Sequence, residues 1–305
     1  MDFTDVKEIH IEPTSLCNAE CPQCARNILG TGLNPNIQLG SLSIDWFKEI
    51  FTRDNITNIN KIFFCGNVGD PCATPDLLRI VVYLKSIKPN IVLGANTNGS
   101  LKTRIWFKEL GHLLNGPLDY LVFSIDGLED TNHIYRKNTN WSKIMENAEA
   151  YISTGASAHW DMLVFHHNRH QVESAKQMAK QMGFTWFRSK STDRWDTYPI
   201  TESLEPAEIY QKPNYQTTNP ICEKNRDSSM FIDYTGKVWP CCHMAEAYLN
   251  TIGQELHSDI KQFSNTELMT EYQNKLDTEP FYICRRACGV NLGKSSQWKQ
   301  SIQLS

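Results

Sequence analysis

Three cysteines within eight residues constrain this chain more than any other feature of its sequence. Cys17, Cys21 and Cys24 follow a strand-like run from Glu8 to Glu12 and precede a long stretch of alternating strand and helix patterns. Three thiolates on one loop can bind one metal centre, and thiolate is a common ligand of zinc and of iron–sulfur clusters. A structural zinc site is normally four-coordinate. Either a distant cysteine therefore completes a closed site, or one metal position is open for chemistry.

The bulk composition is that of an ordinary globular protein. The chain has 305 residues and a formal net charge of −4, which lacks the basic excess expected of a nucleic-acid binder. Its first residues are acidic, without the apolar run of a signal peptide. No apolar stretch approaches the roughly 18 residues of a spanning helix. We therefore expect a cytoplasmic protein, in which ten cysteines with clustered spacings favour metal binding over disulfides.

Strand and helix patterns alternate over the first 190 residues. The predicted strands are residues 7–12, 61–65, 91–95, 120–125, 159–165 and 184–188. The predicted helices are residues 43–52, a helix with Thr74 as its N-cap and Pro75 at its first position, and residues 101–110, 140–154 and 171–182. We expect Gly111, Gly155 and Gly183 to end the last three. Six strands alternating with helices indicate a parallel sheet with right-handed crossovers.

Unusual residues follow four of the predicted strands. They are the cysteine loop and the loops of residues 66–71, 96–99 and 124–127. In parallel sheets and barrels, ligands bind at the carboxyl ends of the strands, where such loops lie together. We therefore expect the four loops to surround one site.

A second group of cysteines lies in the last third of the chain. Residues 191–221 contain four prolines among many polar residues and predict a linker between a core of residues 1–190 and a domain of residues 222–305. Residues 230–233 and 237–240 flank a Tyr-Thr-Gly turn, which predicts a hairpin. The hairpin would bring Cys222 near Cys241, and Cys284 and Cys288 could complete a site of four thiolates. Such a site suits a [4Fe–4S] cluster or zinc equally.

The C-x-x-x-C-x-x-C spacing after a first strand resembles that of the radical S-adenosylmethionine (SAM) superfamily. The resemblance implies an α/β fold, a partial (β/α)6 TIM-type barrel with a small C-terminal cluster-binding extension. It also implies that Cys17, Cys21 and Cys24 hold a [4Fe–4S] cluster whose fourth iron binds SAM, and that reduction of the cluster yields a 5′-deoxyadenosyl radical. The family usually has an aromatic residue before the third cysteine. Here it is Gln23, which departs from the family at the adenine contact.

The resemblance also implies a set of SAM-binding residues. The loop of residues 66–71 stands where the family has a Gly-Gly-Glu motif that holds the SAM amino group, and Ser124 and Arg136 stand where the SAM carboxylate is bound. The residues implied to bind SAM are Gly66, Asn67, Gly69, Asp70, Asn96, Asn98, Ser124, Asp126, Arg136 and Asn168. Their simpler interpretations are ordinary turns, an exposed arginine and, for Asn168, a helix cap.

The C-x13-G-x4-C spacing of Cys222, Gly236 and Cys241 resembles the SPASM and twitch extensions of the same superfamily, which bind auxiliary iron–sulfur clusters. Five cysteines are too few for the two clusters of a full SPASM extension, so we expect one auxiliary [4Fe–4S] cluster. Its expected ligands are Cys222, Cys241, Cys284 and Cys288. Cys242 is the alternative to Cys284 or Cys288 as the fourth ligand.

The resemblance implies hydrogen abstraction from a peptide or protein residue, leading to crosslinking, epimerisation or oxidation. Cys72 and Cys242 are candidate thiols for returning a hydrogen atom, whereas Cys65 suits an apolar core. Cys17 lies close to the start of the sequence, so we expect no peptide-recognition domain before it. A small-molecule dehydrogenase or epimerase, and a non-catalytic zinc or iron–sulfur protein, are the alternatives. We expect a flavodoxin or ferredoxin to supply electrons, because no flavin or nicotinamide motif is present.

Overall fold

A computed structural model describes residues 6–192, 194, 204–207, 220–222, 228–249, 271–276, 278–288 and 299–304. Its strands are β1 (Glu8–Ile11), β2 (Lys61–Phe64), β3 (Val92–Thr97), β4 (Tyr120–Ser124), β5 (Ala158–Val164), β6 (Trp186–Ser191), β7 (Ser229–Ile232), β8 (Val238–Trp239) and β9 (Gln300–Gln303). Its α-helices are α1 (Ile44–Ile50), α2 (Leu77–Ile87), α3 (Arg104–Leu113), α4 (Asn132–Tyr135), α5 (Trp141–Ile152), α6 (Val172–Met182), α7 (Cys242–Leu249) and α8 (Tyr282–Cys288). Among the described residues, none of the helices is long and apolar enough to cross a membrane.

The nine strands form one sheet in the order β8-β7-β1-β2-β3-β4-β5-β6-β9. The pairs from β7 through β1 to β6 are all parallel, as the alternating sequence pattern predicts. The predicted hairpin is present, because β7 and β8 are antiparallel. Its attachment was not predicted: β7 pairs with β1, and β9 pairs antiparallel with β6. The region after residue 222 thus completes both edges of the sheet, so the boundary we placed there does not divide the sheet into two units.

The apolar core lies between the sheet and the helices. On β1 and β2, every second side chain is buried against this core, including Ile9, Ile11 and Ile62. Helix α2 contributes Leu77, Ile80, Val81 and Leu84, which recur at helical spacing on one face. The alternate residues of the strands therefore point into the concave side of the sheet.

Aromatic rings form a row across this concave side. His10, Phe63, Tyr120, His159 and Trp186 follow one another with ring centroids 4.8 to 6.2 Å apart. Phe63 on β2 and Tyr120 on β4 stack across the intervening strand β3, where the residue between them is a glycine. These side chains alternate along their strands with the buried residues of the core, so the row lies on the face of the sheet away from the helices.

Two helix boundaries differ from the sequence prediction. Helix α3 continues through Gly111 and ends at Leu113. Gly111 therefore serves packing and does not end the helix: a Cβ there would lie 2.4 Å from Oγ1 of Thr154, and its absence lets α3 lie close to the end of α5. Helix α2 begins at Leu77 with Asp76 as its N-cap, after a short 3₁₀ turn of Pro71–Ala73 and later than the predicted start at Pro75. Gly183 ends α6 with a φ of 88°, as predicted.

Candidate active site

The cysteine loop lines a cavity of about 160 Å³ at the carboxyl ends of the strands. The four loops singled out in the sequence all contribute to it, through residues 17–24, 66–71, 96–98 and 124. Parallel pairing of β1 to β4 brings these loops together, since each follows the same end of its strand. The expectation of one shared site therefore agrees with the structure.

All three thiols of the loop contact groups that border the cavity. Nδ2 of Asn98 lies 3.7 Å from Sγ of Cys17, and Nη1 of Arg136 lies 3.8 Å from Sγ of Cys21. The thiol of Cys24 donates to the backbone carbonyl of Asn67 at 3.4 Å. Donors that face thiolate sulfurs stabilise their negative charge when a cluster is bound.

Burial raises the pKa of all three thiols, that of Cys24 to about 11. Binding of iron must therefore displace the thiol protons. No three Cys, His, Asp or Glu side chains of the described residues surround a single point closely enough for one metal ion. A [4Fe–4S] cluster binds each cysteine at a different iron, so thiols spread around a cavity fit it.

Glu12, at the end of β1, holds the loop after β2. Its carboxylate accepts hydrogen bonds from the backbone N–H groups of Asn67, Val68 and Gly69 at 2.7, 3.2 and 2.9 Å. Burial raises the pKa of Glu12 to about 8, although the three N–H donors act in the opposite direction. The sequence analysis missed this residue. The available signal was an acidic side chain that ends an apolar strand directly before the cysteine loop.

The glycine at position 69 is required by close packing of the backbone. A Cβ there would lie 2.0 Å from the carbonyl oxygen of Thr14. The loop of residues 66–71 therefore lies directly against the strand that leads into the cysteines. Gly66, Asn67 and Gly69 all line the cavity, as the predicted SAM contacts require.

Asp70 has its carboxylate occupied by the protein itself. Oδ1 accepts from the backbone N–H of Cys72 at 2.9 Å, and Oδ2 accepts from the N–H of Asn98 at 2.7 Å and from the hydroxyl of Thr97 at 3.2 Å. Asp70 borders the cavity but is only 3% exposed. Its role in the structure is to join the loops after β2 and β3, which differs from the expected contact with the SAM amino group.

Asp126 and Arg136 form a buried ion pair beside the cysteines. Nε of Arg136 donates to Oδ2 of Asp126 at 2.6 Å, and Oδ1 accepts from the backbone N–H of Leu163 at 2.6 Å. Arg136 lines the cavity together with Ser124, whereas Asp126 lies behind it. Asp126 therefore orients the guanidinium, and Arg136 and Ser124 are placed as the resemblance implies.

Two other predicted residues, and the unusual Gln23, lie outside the cavity lining. Asn168 is fully buried, accepts from the N–H of Phe165 and donates to the carbonyls of Asp126 and Leu163, so it fixes the end of β5 and does not line the cavity. Cys72 is fully buried in the apolar core and does not line the cavity, so its position does not favour its predicted role as a hydrogen donor. Gln23 is also buried, where it accepts from the hydroxyl of Thr192.

The C-terminal cysteines converge in a second cluster. Cys222, Cys241 and Cys242 pack against an apolar group that includes Cys65 and Cys284. Cys241 lies near Cys284 and Cys288, and the hydroxyl of Tyr272 lies 2.8 Å from Sγ of Cys222. The backbone N–H of Ile221 donates to the carbonyl of Cys288, which joins the two ends of the group. Thiols are the donors that an iron–sulfur cluster requires. Cys242 lies in this group and not at the first cavity, so its predicted role as a hydrogen donor is not supported by its position.

The parallel sheet, with a three-cysteine loop at the carboxyl ends of its strands, places the chain in the class of α/β proteins that bind a metal cluster. The family model of the radical SAM superfamily matches residues 11–179, and that of SPASM, an iron–sulfur cluster-binding domain, matches residues 222–289. The chain belongs to the radical SAM superfamily, whose members require a [4Fe–4S] cluster and SAM. Its SPASM domain binds iron–sulfur in addition to the cluster of the radical SAM core.

Similar proteins agree with this placement. The tungsten-containing aldehyde ferredoxin oxidoreductase cofactor-modifying protein of Pyrococcus furiosus is 28% identical over 130 residues, 42% of this chain and 33% of that protein. The match thus spans about a third of that relative's length. The structure of SuiB of Streptococcus suis bound to S-adenosylmethionine matches with a TM-score of 0.57 and 13% identity, and the match covers 92% of this chain and 68% of SuiB. The structure of anSMEcpe with bound AdoMet matches with a TM-score of 0.56 and 14% identity, and the match covers 92% of this chain and 89% of that one. These likenesses confirm the partial-barrel fold.

Proposed function

We propose that this chain modifies a residue of a peptide or protein by abstracting a hydrogen atom. When bound, the [4Fe–4S] cluster supplies the electron that cleaves SAM, and the resulting 5′-deoxyadenosyl radical removes the hydrogen atom. Cys17, Cys21 and Cys24 would hold the cluster, while Arg136 and Ser124 would orient the SAM carboxylate. Gly66, Asn67, Gly69, Asn96 and Asn98 border the same cavity and would complete the SAM site.

One observation carries this proposal. The cysteine-lined cavity opens into a cavity of about 600 Å³ inside the sheet, and both are lined by Asn67, Asn96, Ser124 and Arg136. A cavity of this volume suits a small molecule or one side chain with its neighbouring backbone. SuiB, which shares the fold, has been solved with its precursor peptide SuiA, and this supports a peptide substrate.

A small-molecule substrate is the second candidate. The Pyrococcus furiosus relative is named as a cofactor-modifying protein, and its matched segment supports the same chemistry on a non-peptide substrate. The substrate can be identified by incubating the enzyme with deuterated candidates, because abstraction transfers deuterium into 5′-deoxyadenosine. Transfer from a labelled peptide supports the first proposal, and transfer only from a small molecule supports the second.

The chemistry is tested by anaerobic reconstitution. We expect roughly eight irons per chain and formation of 5′-deoxyadenosine with dithionite, or with a flavodoxin or ferredoxin as electron donor. Replacing Cys17, Cys21 and Cys24 together by Ala should abolish SAM cleavage and leave roughly four irons at the C-terminal cysteines. A protein that binds only zinc under strict anaerobiosis would overturn the proposal and favour a non-catalytic metal protein.

A further inference from the structure

The larger cavity has an excess of positive charge. Five basic and two acidic side chains line it. Both acids have a basic partner: Asp126 pairs with Arg136 and Asp161 pairs with Arg188, each at 2.6 Å. The excess is therefore carried by the three other cations of the lining, which are Lys190, Arg194 and Lys299.

Strand alternation directs the cations of β6 into the cavity. Phe187 and Ser189 are buried on the helix side of the strand, so Arg188 and Lys190 point to the concave side. On the neighbouring strand, Asp161 is opposite Arg188, whereas the apolar Leu163 is opposite Lys190. The acid of β5 thus forms its ion pair with Arg188, while Lys190 faces an apolar side chain and acts on Asp161 only from a longer distance.

The other edge of β6 brings a second lysine to the same place. Strand β9 pairs antiparallel with β6, with Gln300 opposite Ser189, so Lys299 continues this register opposite Lys190. Like charges directly opposite each other on paired strands are destabilising. Within the part of the chain that the structure describes, no ion pair joins either lysine to an acid. Both lysines line the cavity, where a bound anion would offset their repulsion.

We propose that the substrate carries a carboxylate or phosphate group that binds between Lys190 and Lys299. The inference rests on the proposed function only in treating this cavity as the substrate site. It narrows the peptide substrate to one with an acidic side chain near the modified residue. A small acid that is not part of a peptide carries the same carboxylate or phosphate group, and the experiment below distinguishes it from a peptide.

Binding to the reconstituted protein is measured by isothermal titration calorimetry with four probes. They are an acetylated, amidated Gly-Glu-Gly-Glu-Gly peptide, the same peptide with Gln for Glu, glutarate and inorganic phosphate. We expect the acidic peptide to bind at least about tenfold more tightly than the glutamine peptide. The double variant K190Q/K299Q should lose this preference, and K190R/K299R should retain it. Lys190 also borders the cysteine-lined cavity, whereas Lys299 borders only the larger one, so K299Q alone should weaken anion binding and leave SAM affinity unchanged.

The matched control is K176Q, which removes one positive charge from helix α6 outside both cavities, where Lys176 pairs with Glu173. It should keep the preference for anions. Equal binding of the acidic and glutamine peptides, together with no binding of glutarate or phosphate, would overturn the inference. A fall in SAM affinity parallel to the loss of anion binding in K299Q would also overturn it, because Lys299 would then hold SAM.

The two proposals fail separately. Binding of glutarate or phosphate without the acidic peptide supports the anion site and contradicts a peptide substrate. Selective anion binding by a protein that forms no 5′-deoxyadenosine supports the anion site and contradicts the radical chemistry. If K176Q lost the preference for anions as fully as K190Q/K299Q does, the effect would come from net charge. That result would overturn the proposed anion site.

Discussion

The backbone N–H of Asn67 donates a hydrogen bond of 2.7 Å to Oε2 of Glu12. This bond connects the strand that leads into the cysteine loop with the loop that lines the opposite wall of the cavity. Two further N–H groups of that loop donate to Oε1 of the same carboxylate. Because three donors converge on one side chain, the position of the predicted SAM-binding loop depends on Glu12.

Replacing Glu12 by Gln should lower stability in a pH-dependent way. At pH 5 the folded protein holds Glu12 as the neutral acid, whose hydroxyl oxygen can still accept the N–H of Asn67, whereas the amide nitrogen of Gln cannot. We therefore expect a loss of about 1–3 kcal/mol in the free energy of unfolding at this pH. The folded pKa of Glu12, about 8, lies above its ordinary value of 4.5. The folded state therefore keeps a proton that the unfolded state releases, and stability falls as pH rises from about 4.5 to about 8. Urea denaturation across this range measures both effects.

Gln does not titrate, so the variant should lack that part of the fall in stability. The control is Glu173→Gln, which changes an exposed carboxylate on helix α6 and should leave the slope unchanged. A slope in Glu12→Gln equal to that of the wild type would contradict the assignment to Glu12.

The pairs Asp126–Arg136 and Asp161–Arg188 have the same 2.6 Å separation but different burial. Asp126 is fully buried, whereas both side chains of the second pair are more than a third exposed. We expect Asp126→Asn to cost about 3–5 kcal/mol, because it leaves the charge of Arg136 uncompensated in the interior. Asp161→Asn should cost less than about 1 kcal/mol.

Chemical denaturation of the two variants measures this difference. Asp126→Asn should also weaken SAM binding, because Arg136 loses the carboxylate that orients it beside Cys21. Equal losses of stability in the two variants would show that burial does not decide the energetics of these pairs.

Gly94 provides the space for the aromatic row. A Cβ at this position would lie 2.6 Å from Cζ of Tyr120 and 3.0 Å from Cδ2 of Phe63. We expect Gly94→Ala to lower the free energy of unfolding by about 1–3 kcal/mol, since the rings must separate. Gly32→Ala is the matched control, because nothing lies within 4 Å of the added atom, and its effect should stay within about 0.5 kcal/mol. Thermal unfolding of both variants measures the difference in stability, and equal effects of the two substitutions would contradict the role of Gly94.

Local patterns explain which parts of the fold were predictable. Alternation of apolar residues defined the six parallel strands, and a turn signal defined the hairpin of β7 and β8, because both depend on neighbours in sequence. The pairing of β7 with β1 and of β9 with β6 joins segments far apart in the chain. The local pattern does not indicate which edge of the sheet a strand will join, so the sequence did not predict that strands on both sides of residue 222 share one sheet.

The same limit applies to the site. The loop positions of the cysteines, Ser124 and Arg136 were predictable because they follow strands of one parallel sheet. Whether a buried carboxylate faces a cavity or backbone donors depends on packing, which is why Asp70 was assigned to SAM and Glu12 was missed. The same applies to Cys72, because its loop lies beside the cavity while its side chain lies in the apolar core.

Replacing Cys72 by Ala tests its position. Its side chain is fully buried and borders neither cavity, so the variant should cleave SAM and form product like the wild type, with a loss of about 1 kcal/mol in stability. The comparison is Cys17→Ala, which should abolish SAM cleavage. Cleavage that continues in Cys72→Ala without product would instead make Cys72 the hydrogen donor.

The auxiliary ligands can be separated with two adjacent cysteines. Cys241 and Cys242 are both half-buried, but Cys241 lies near Cys284 and Cys288, whereas Cys242 is the first residue of helix α7. We therefore expect Cys241→Ala to reduce the iron content from roughly eight to roughly four per chain, and Cys242→Ala to retain roughly eight. Cys65→Ala is the control, because Cys65 packs in the same apolar group without being a predicted ligand. Iron analysis with electron paramagnetic resonance measures the clusters, and the reverse result for the two variants would make Cys242 the ligand in place of Cys241.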